Sequence, residues 1–252
     1  MKISIITITY NSEKTLDDTI KSVLSQTYND IEYIIVDGKS KDTTIDIVKS
    51  YGDKISKVVT EKDNGIYDAM NKGLRLATGD VVGILNSDDV YFDEHVIEKV
   101  MHKFQKENVD SVYGDLYYVK PENVNEVVRY WKSSEFIKGS FAKGWHPPHP
   151  SFFVKREAYE KHGFFDLNMK VSADFELMLR FLEKFQISTV YLPKVIVRMR
   201  TGGESNSSIG NIIRGNRSIL KAFEKNQIKI NKLLYPFYRF VPKIIQMIKK
   251  GK

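Results

Sequence analysis

The chain has 252 residues, no cysteine and a formal net charge of +7. This length fits one large domain, or one domain with a tail, and the lack of cysteine excludes disulfide frameworks and thiolate metal sites while fitting a reducing cytoplasm. Residues 214–252 hold 11 Lys and Arg against one acid, a net of +10, so residues 1–213 carry −3. This uneven charge argues against nucleic-acid binding by the domain.

No part of the sequence predicts a membrane-spanning helix, because no run approaches the roughly 18 to 20 apolar residues that such a helix needs. The first segment, MKISIITITYNSEK, has one Lys before an apolar run. That run alternates with Ser and Thr and lacks a small-residue cleavage site, which favours a first strand over a signal peptide. We therefore expect a soluble or peripheral protein.

Short β-branched runs alternate with helix-period segments from residue 2 to about residue 105, a pattern typical of βαβ units and a largely parallel sheet. The predicted strands are 2–9, 31–37, 57–60 and 80–85. A first helix is expected after candidate caps Asn11 and Ser12, a second over 40–51 with Ser40 as cap, a third over 65–79 stopped by Gly79, and a fourth at about 93–107.

Beyond residue 105 the pattern becomes less regular. Residues 109–131 are β-rich and predicted to be antiparallel, 139–154 form a loop rich in Gly, Pro and aromatic residues that enters a strand, and 171–185 form an amphipathic helix followed by a strand-like ISTVYL. The predicted domain spans 1–204, with halves at 1–110 and 111–204, and a basic helical extension covers 205–252.

Polar side chains follow each of the first four predicted strands. In an open parallel sheet, ligands bind beyond the carboxyl ends of the strands, so these residues are the first site candidates. They are Thr9, Tyr10 and Asn11; Asp37, Gly38, Lys39 and Ser40; Glu61 to Gly65; and Asn86 to Asp89. The chain has neither a GxGxxG motif nor a Walker A loop, which disfavours a dinucleotide oxidoreductase or a P-loop enzyme.

Asp88 and Asp89 are adjacent carboxylates at the end of the fourth predicted strand. They repel each other, and a hard divalent cation such as Mn²⁺ or Mg²⁺ is the simplest partner. The alternative is that one of them only caps the next helix. Asp93 is the better cap candidate, however, with Phe92 placed to pack on Ile97.

Four ordered segments carry a resemblance to a known family: SIITITYNSEKTLDDTIKSVLSQTY, IEYIIVDGKSKDTT, EKDNGIYDAMNKGLRLATGDVVGILNSDD and SADFELMLR. Over about residues 2–200 they resemble the inverting family 2 glycosyltransferases of the GT-A fold, of the bacterial capsule, O-antigen or colanic-acid type. The resemblance implies an α/β GT-A (Rossmann-like) three-layer sandwich, with a mostly parallel central sheet, a smaller antiparallel acceptor-side part and a helical C-terminal tail.

The resemblance also implies a nucleotide-sugar donor site and a divalent cation. The residues matching the base and ribose positions are Thr9, Tyr10, Asn11, Asp37 and Ser40, and those matching the segment beside the nucleotide sugar are Asp63, Gly65, Asp68, Asn71 and Lys72. Asp88 and Asp89 match the metal motif, in which Ser87 replaces the usual first acid. We expect Asp89 to be the direct ligand and Asp88 to face the sugar or ribose.

Asp174 matches the catalytic base of the family, with Ala173 in place of the acid that often precedes it. Taken by itself, an acid at the start of an amphipathic helix is usually a first-turn charge favoured by the helix dipole. As a base, Asp174 must lie within hydrogen-bond reach of the acceptor hydroxyl.

His149 and Trp145, and less so His146, are candidates for acceptor or sugar contacts, against the alternative of structural packing in a Pro-rich loop. The segment 198–206 resembles the flexible part that closes over the diphosphate in the family. There Arg198 and Arg200, with the backbone at Gly202 and Gly203, suit phosphates. The alternative is a mobile surface loop.

Basic residues alternate with Tyr, Phe and Ile in the tail, around LLYPFYRFVPKIIQMI. Such a segment fits attraction to an anionic membrane surface, and the alternative is packing on the domain or in a dimer. We expect transfer of a sugar, from a UDP-sugar in the first instance, to a glycan or lipid-linked acceptor, by a cytoplasmic enzyme at the inner face of the membrane. A sugar-phosphate nucleotidyltransferase and a non-catalytic nucleotide-sugar binder are the alternatives.

Overall fold

The structure, a computed structural model, describes residues 1–202 and 209–239. Nine strands form one sheet in the order β3-β2-β1-β4-β8-β6-β9-β5, with β7 paired to β6. The strands are β1 (Ile3–Thr9), β2 (Ile31–Asp37), β3 (Lys57–Thr60), β4 (Val81–Ile84), β5 (Val90–Tyr91), β6 (Ser111–Lys120), β7 (Asn123–Trp131), β8 (Phe152–Lys155) and β9 (Thr189–Arg200).

Helices cover both faces of this sheet. They are α1 (Leu16–Leu24), α2 (Thr44–Ser50), α3 (Ile66–Leu76), α4 (Val96–Glu107), α5 (Arg156–His162), α6 (Ala173–Leu179) and α7 (Ile209–Lys225). Short 3₁₀ turns lie at Gly52–Lys54, Phe141–Lys143 and His149–Ser151, and α6 continues into a π-helical turn at Arg180–Lys184. No helix of the described residues is long and apolar enough to cross a membrane.

The first four strands of the sheet order form a parallel unit. In register, β1 pairs with β2 from Ile3–Ile31 to Thr9–Asp37, β4 joins the other side of β1, and β3 joins β2. From β8 onward the sheet is mixed: β4–β8, β8–β6, β6–β7 and β5–β9 are antiparallel, and β6–β9 is parallel. The predicted α/β fold, with a parallel central part and a smaller antiparallel part, is confirmed.

The apolar strands are buried on both faces of the sheet. Their sequences are therefore largely continuous runs of β-branched residues. Along β1, Ile6 and Ile8 belong to one core cluster, whereas Ile3 and Ile5 belong to the other. Because successive strand side chains point to opposite faces, the two clusters lie on opposite sides of the sheet, and the result is three layers.

Several predicted helix boundaries are wrong. The first helix begins at Leu16, and neither Asn11 nor Ser12 caps it; the second begins at Thr44, four residues after Ser40. The third ends at Leu76, before Gly79, whose amide donates to Ser4 Oγ (2.9 Å). In each case the residues read as helix ends belong to connecting loops, because their polar groups have tertiary partners.

The described part of the C-terminal extension packs on the domain. On α7, Ile219, Ala222 and Phe223 are buried in the same cluster as α6. Just after α7, Asn226 Nδ2 donates to Glu176 Oε1 (3.1 Å). The division at residue 204 stays a prediction, and residues 240–252 lie outside the described residues.

Candidate active site

Hydrogen bonds connect the loop that follows β1 with the loop that follows β2. The Gly38 amide donates to the Thr9 carbonyl oxygen (2.8 Å), and the Asn11 amide donates to Ser40 Oγ (2.8 Å). Asn11 Oδ1 in turn accepts from the Lys41 amide (2.9 Å), and Asn11 is left-handed, with φ +50°. Asn11 and Ser40, misread as helix caps, therefore connect two strand ends.

Asp37 shapes the loop after β2. It is fully buried and accepts hydrogen bonds from the amides of Lys39 and Ser40 (both 3.1 Å) and from the Ser40 hydroxyl. Backbone donors satisfy such a carboxylate without a cation. The Asp37 side chain thus fixes the loop after β2. A ligand could contact the outer residues of that loop, but not the buried carboxylate.

Tyr10 and Asp63 flank Gly38. A Cβ on Gly38 would lie 2.5 Å from Asp63 Oδ2 and 3.3 Å from Tyr10 Cδ2, so a side chain there would displace the Asp63 carboxylate. The Tyr10 ring is 57% exposed. An exposed ring beside a carboxylate and a bare backbone suits the stacking and hydrogen bonding of a nucleobase.

The segment from Glu61 to α3 is held by its own charged side chains. Asp63 Oδ1 accepts from the Gly65 amide (3.0 Å), and Asp68 Oδ2 accepts from the Asn64 amide (2.9 Å). Lys72 Nζ donates to the Lys62 carbonyl oxygen (2.8 Å) and contacts Glu61. Gly65 has φ +107°, a conformation that favours glycine. In this structure Asp68 and Lys72 act on the protein itself.

Asn71 also has its partner within the protein. Both ends of its buried amide bind the backbone of Phe165: Nδ2 donates to the carbonyl oxygen (2.9 Å), and Oδ1 accepts from the amide (3.0 Å). Asn71 therefore fixes the loop that leads into α6.

Asp89, at the end of β4, is fully buried, whereas Asp88 is half-buried. Asp89 Oδ1 accepts from the Arg200 amide (3.3 Å), and Oδ2 accepts from Asn86 Nδ2 (3.2 Å). Ser12 Oγ and Ser87 Oγ are 2.8 Å apart and join this turn to the end of β1. By accessibility, Asp88 is the open carboxylate, and the ranking of Asp89 as direct ligand stays a prediction.

The Arg200 guanidinium is directed away from both carboxylates. It donates to the Asp88 carbonyl oxygen (2.7 Å), to the Pro121 carbonyl oxygen (2.9 Å) and to Asp18 Oδ2 (2.6 Å). Burial raises the pKa of Asp89 well above its ordinary value, and the charge of Asp88 adds to this. Burial also raises the pKa of Asp88, while the Arg200 charge opposes the rise.

The donor set at this turn fits a hard cation. Asn86 Oδ1 is buried and accepts no hydrogen bond from the described residues, so it adds a third oxygen-donor group to the two under-compensated carboxylates. Oxygen donors are those that Mg²⁺ and Mn²⁺ prefer. Among residues 1–202 and 209–239, no group of three His, Cys, Asp or Glu could hold a metal. A cation here would therefore need further oxygens from water or substrate.

Asp174 lies in the first turn of α6, after Ser172 with φ +64°. The Tyr67 hydroxyl on α3 donates to Asp174 Oδ1 (3.0 Å). Burial, and next the negative charge of Asp174, raise the pKa of Tyr67. The hydroxyl thus stays a donor at neutral pH, and it fixes the carboxylate from the opposite half of the molecule.

His149 lies in the same region. Its ring and that of Tyr67 both contact Phe165, with centroids 5.7 and 5.6 Å away. Burial lowers the pKa of His149, and the charge of Asp174 opposes this. The structure therefore brings His149 to the candidate base as a neutral imidazole.

Tyr118 connects the two acidic centres. Burial raises its pKa, the Arg129 cation 4.0 Å above its ring lowers it, and the charges of Asp89 and Asp174 raise it again. Asp89 and Asp174 therefore both lie close enough to Tyr118 to act electrostatically on its hydroxyl. The sequence analysis missed Tyr67 and Tyr118, of which only Tyr67 had a signal, its place in the segment EKDNGIYDAMNKG. Asn86 was among the strand-end candidates, but not as a cation ligand.

Two further candidates are packed residues. The Trp145 ring contacts Phe136 and Phe141, both at 5.9 Å, and His146 stacks edge-on against Trp131 at 5.2 Å. Trp145 Nε1 is buried and donates to no described residue. Both rings therefore pack within this loop, which agrees with the alternative of structural packing, and an acceptor or sugar contact by Trp145 stays a prediction.

The expected loop at 198–206 is wrong over its first residues, because Arg198 and Arg200 lie in β9. The Arg198 guanidinium lies over the Phe92 ring at 4.6 Å. Gly202 has φ +103°, and Gly203 lies outside the described residues. Strand pairing with β5 and β6, rather than loop flexibility, sets the position of these arginines.

Comparison with known proteins gives a consistent result. Residues 4–163 match the family described as Glycosyl transferase family 2. An uncharacterized glycosyltransferase of Rickettsia typhi is 32% identical over 216 residues, 79% of this chain, and the chain spans 63% of the length of that relative. A PGL/p-HBAD biosynthesis glycosyltransferase of Mycobacterium tuberculosis is 28% identical over 211 residues, covering 82% of this chain and 80% of the relative.

Solved structures share the fold. The S. aureus TarS fragment 1–349 in complex with UDP-GlcNAc has a TM-score of 0.71 at 18% identity, over 95% of this chain and 70% of that one. The mannosyltransferase PcManGT from Pyrobaculum calidifontis, in complex with GDP-Man and Mn²⁺, has a TM-score of 0.65 at 20% identity, over 94% and 68%. These likenesses support the architecture described above.

Proposed function

This chain belongs to glycosyl transferase family 2, and from that membership we propose that it transfers a sugar, with inversion, from a nucleotide-diphosphate donor to a hydroxyl of a glycan or lipid-linked acceptor. The expected donor is a UDP-sugar, and the expected setting is bacterial surface-polysaccharide synthesis. The observation that supports the proposal is that Asp89, after β4, and Asp174, in the first turn of α6, both act on the side chain of Tyr118.

The donor nucleotide would lie across the ends of β1 and β2. The exposed Tyr10 ring offers a stacking surface, and the loop fixed by Asp37 and Ser40 offers backbone groups beside Asp63. TarS was solved with UDP-GlcNAc and PcManGT with GDP-Man. Both nucleotides are therefore reasonable donors to test.

Asp88 and Asp89, with Asn86 Oδ1, would hold a divalent cation beside the donor diphosphate. Such a cation, when bound, acts as a Lewis acid that stabilises the departing diphosphate. Without it, the buried carboxylates are under-compensated, as the raised pKa of Asp89 indicates. The complex of PcManGT with Mn²⁺ supports the choice of Mn²⁺ for the test.

Asp174 would act as the base. As the acceptor oxygen forms its bond to the anomeric carbon, the bond from that carbon to the donor diphosphate breaks, the hydroxyl proton passes to Asp174, and the nucleoside diphosphate leaves. One displacement gives inversion. The hydrogen bond from Tyr67 fixes one oxygen of Asp174, so the other is free to accept the proton.

The C-terminal segment would bring the enzyme to the inner face of the cytoplasmic membrane. Leu233 and Phe237 are 84% and 67% exposed, and Lys229 and Lys232 lie nearby in the sequence. Apolar residues among cations favour an anionic lipid surface. Residues 243–252 of the basic tail lie outside the described residues.

The test is a panel of UDP-, GDP- and dTDP-sugars, with nucleotide release measured in Mn²⁺ and again in chelator. We expect release from one donor that requires metal and falls at least about 1000-fold in Asp174→Asn, which keeps donor binding. Retained binding with no turnover in either protein would indicate a non-catalytic binder. Formation of a nucleotide sugar from a sugar phosphate would indicate a nucleotidyltransferase. No metal-dependent release or binding would overturn the proposal.

A further inference from the structure

Arg239, in the helical turn at 235–239, is a partly buried cation without an acidic partner in the described chain. Its guanidinium contacts Asn216 Oδ1, and its buried Nε donates to no described residue. By contrast, the buried Arg180 pairs with Glu176, and the buried Arg200 pairs with Asp18. A desolvated guanidinium is costly unless an anion compensates it. The positive charge of Arg239 is therefore uncompensated among the described residues, as expected for a side chain that binds an anionic ligand.

The turn that carries Arg239 is seated on the loop of Trp145. A Cβ on Gly144 would lie 2.7 Å from the Tyr238 carbonyl oxygen and 2.8 Å from the Arg239 amide, so glycine permits this contact. Gly144 has φ +80°, which also favours glycine. The next residue, Trp145, carries a buried Nε1–H that donates to no described residue. Two buried donors without acceptors thus lie on two segments in contact.

Aromatic contacts connect the same turn to α6, the helix that carries the candidate base. Tyr235 packs on Phe223 (5.2 Å between centroids), Phe223 packs on Phe175 (5.6 Å), and Phe175 directly follows Asp174. The Tyr235 hydroxyl is buried and has no partner among the described residues. Burial lowers the pKa of Arg239, and the neighbouring Tyr235 phenol and the carboxylate of Asp174 oppose this, which agrees with a guanidinium within electrostatic reach of the base.

We propose that Arg239, with the Tyr235 hydroxyl and Trp145 Nε1–H, forms an oxyanion subsite for a phosphate group of the acceptor, next to Asp174. The inference rests on the proposed function, since it places this phosphate on the acceptor side. Arg239 supplies several N–H donors in a planar fork, and the indole and phenol add one each. This number of donors matches the oxygens of a phosphate better than the two of a carboxylate.

Trp145 supplies the probe. The chain has two tryptophans, so Trp131→Phe leaves Trp145 as the single fluorophore. In that background, with UDP and Mn²⁺ saturating the donor site, methyl phosphate is titrated while Trp145 emission is followed, with acetate as the carboxylate probe at equal ionic strength. Phosphatidylcholine vesicles with and without phosphatidic acid form a second arm, in which a response to phosphatidic acid alone assigns the phosphate to a lipid headgroup.

We expect methyl phosphate or phosphatidic acid to shift Trp145 emission, and Arg239→Gln to weaken the apparent affinity at least about tenfold, as for loss of one charge-assisted hydrogen bond. The apparent affinity of Arg239→Lys should lie between those of Arg239→Gln and the parent protein. Arg217→Gln, which removes an exposed arginine of α7, should bind the probe as tightly as the parent. Tyr235→Phe is a second, nearly isosteric variant with an expected loss of about threefold, in case Arg239→Gln does not fold.

Equal responses in the Arg239→Gln and Arg217→Gln proteins, an equal response to acetate, or no response in either arm would overturn the subsite. These readings need no sugar transfer. If the donor panel fails while the phosphate response depends on Arg239, the proposed function is wrong and the subsite stands. If the donor panel shows sugar-nucleotide turnover and the phosphate response is absent, the proposed function stands and the subsite is wrong.

Discussion

Glu32 and Asp89 are two buried acids at opposite ends of the parallel strands, and their negative charges are compensated to different extents. Glu32 lies at the amino end of β2, and Asp89 follows the carboxyl end of β4; their side chains are 4% and 0% exposed. Glu32 accepts from Ser4 Oγ (2.6 Å), the Thr78 amide (2.8 Å) and Lys57 Nζ (2.9 Å). Although burial raises the pKa of Glu32, these donors outweigh it and hold the value at about 2.

Asp89 has only neutral donors at its carboxylate, the Arg200 amide and Asn86 Nδ2, and another carboxylate as its neighbour. Its pKa is raised. A buried carboxylate with a full set of donors stabilises the fold. A buried carboxylate with too few donors can still bind a cation. Glu32 is thus structural, and so is Asp37 with its backbone donors. Asp89, at the edge where ligands bind in open α/β sheets, is the acid left for a ligand.

The largest effect is expected at the amino edge, in Glu32→Gln. A native pKa of about 2 against an ordinary 4.5 corresponds to about 3 kcal/mol of stability at neutral pH. Because the native pKa is lowered, this contribution is complete above pH 4.5 and is lost as pH falls through about 2. Urea unfolding of wild type and variant between neutral and acid pH measures it.

The matched control is Lys21→Met on α1, which breaks an exposed pair with Asp17 and should leave the free energy of unfolding almost unchanged. A Glu32→Gln protein as stable as this control at neutral pH would contradict the structural assignment of Glu32.

At the carboxyl edge, Asp89→Asn should act through the metal. In chelator we expect the variant to be at least as stable as wild type, because a desolvated charge is removed. At Mn²⁺ about 100 times its Kd, wild type should gain about 2.7 kcal/mol and the variant almost nothing. Thermal unfolding with and without Mn²⁺ gives both numbers.

The pH dependence has the opposite sign from that of Glu32. Since the native pKa of Asp89 is raised, metal-free wild type should gain stability relative to Asp89→Asn as pH falls toward the ordinary value of 3.8. Asp46→Asn, in which an exposed acid of α2 is removed, should keep the full Mn²⁺ effect. An equal Mn²⁺ gain in Asp89→Asn and wild type would remove Asp89 from the metal site, and Asp88→Asn then tests its neighbour.

The smallest effect is expected in Tyr67→Phe, where an acid of the active site loses one neutral donor. Loss of the bond to Asp174 (3.0 Å) should lower kcat about fivefold, since one such hydrogen bond contributes about 1 kcal/mol. The KM for the donor should stay unchanged. Steady-state kinetics test this, with Tyr91→Phe as the control because the buried Tyr91 hydroxyl has no described partner. Equal kcat values in the two variants would show that Tyr67 does not position the base.

The fold was predictable where the pattern is local. The strands at 31–37 and 57–60 have the predicted bounds, because short β-branched runs between turn residues encode them. The loops were not: Asn11 and Ser40 match the cap pattern, yet they bind each other's strand ends. A polar residue after a strand can serve a helix or a neighbouring loop, and sequence spacing does not separate the two.

Local sequence patterns encode the α/β layering and place acids at the ends of β2 and β4, because strand periodicity and strand ends are short-range properties. The packing of distant elements sets which charges are compensated. It turns Arg200 toward Asp18, places the Tyr67 hydroxyl on Asp174 across 107 positions, and seats Arg239 against Gly144. Such contacts depend on how distant elements pack, and burial then sets the pKa values that separate a structural acid from a functional one.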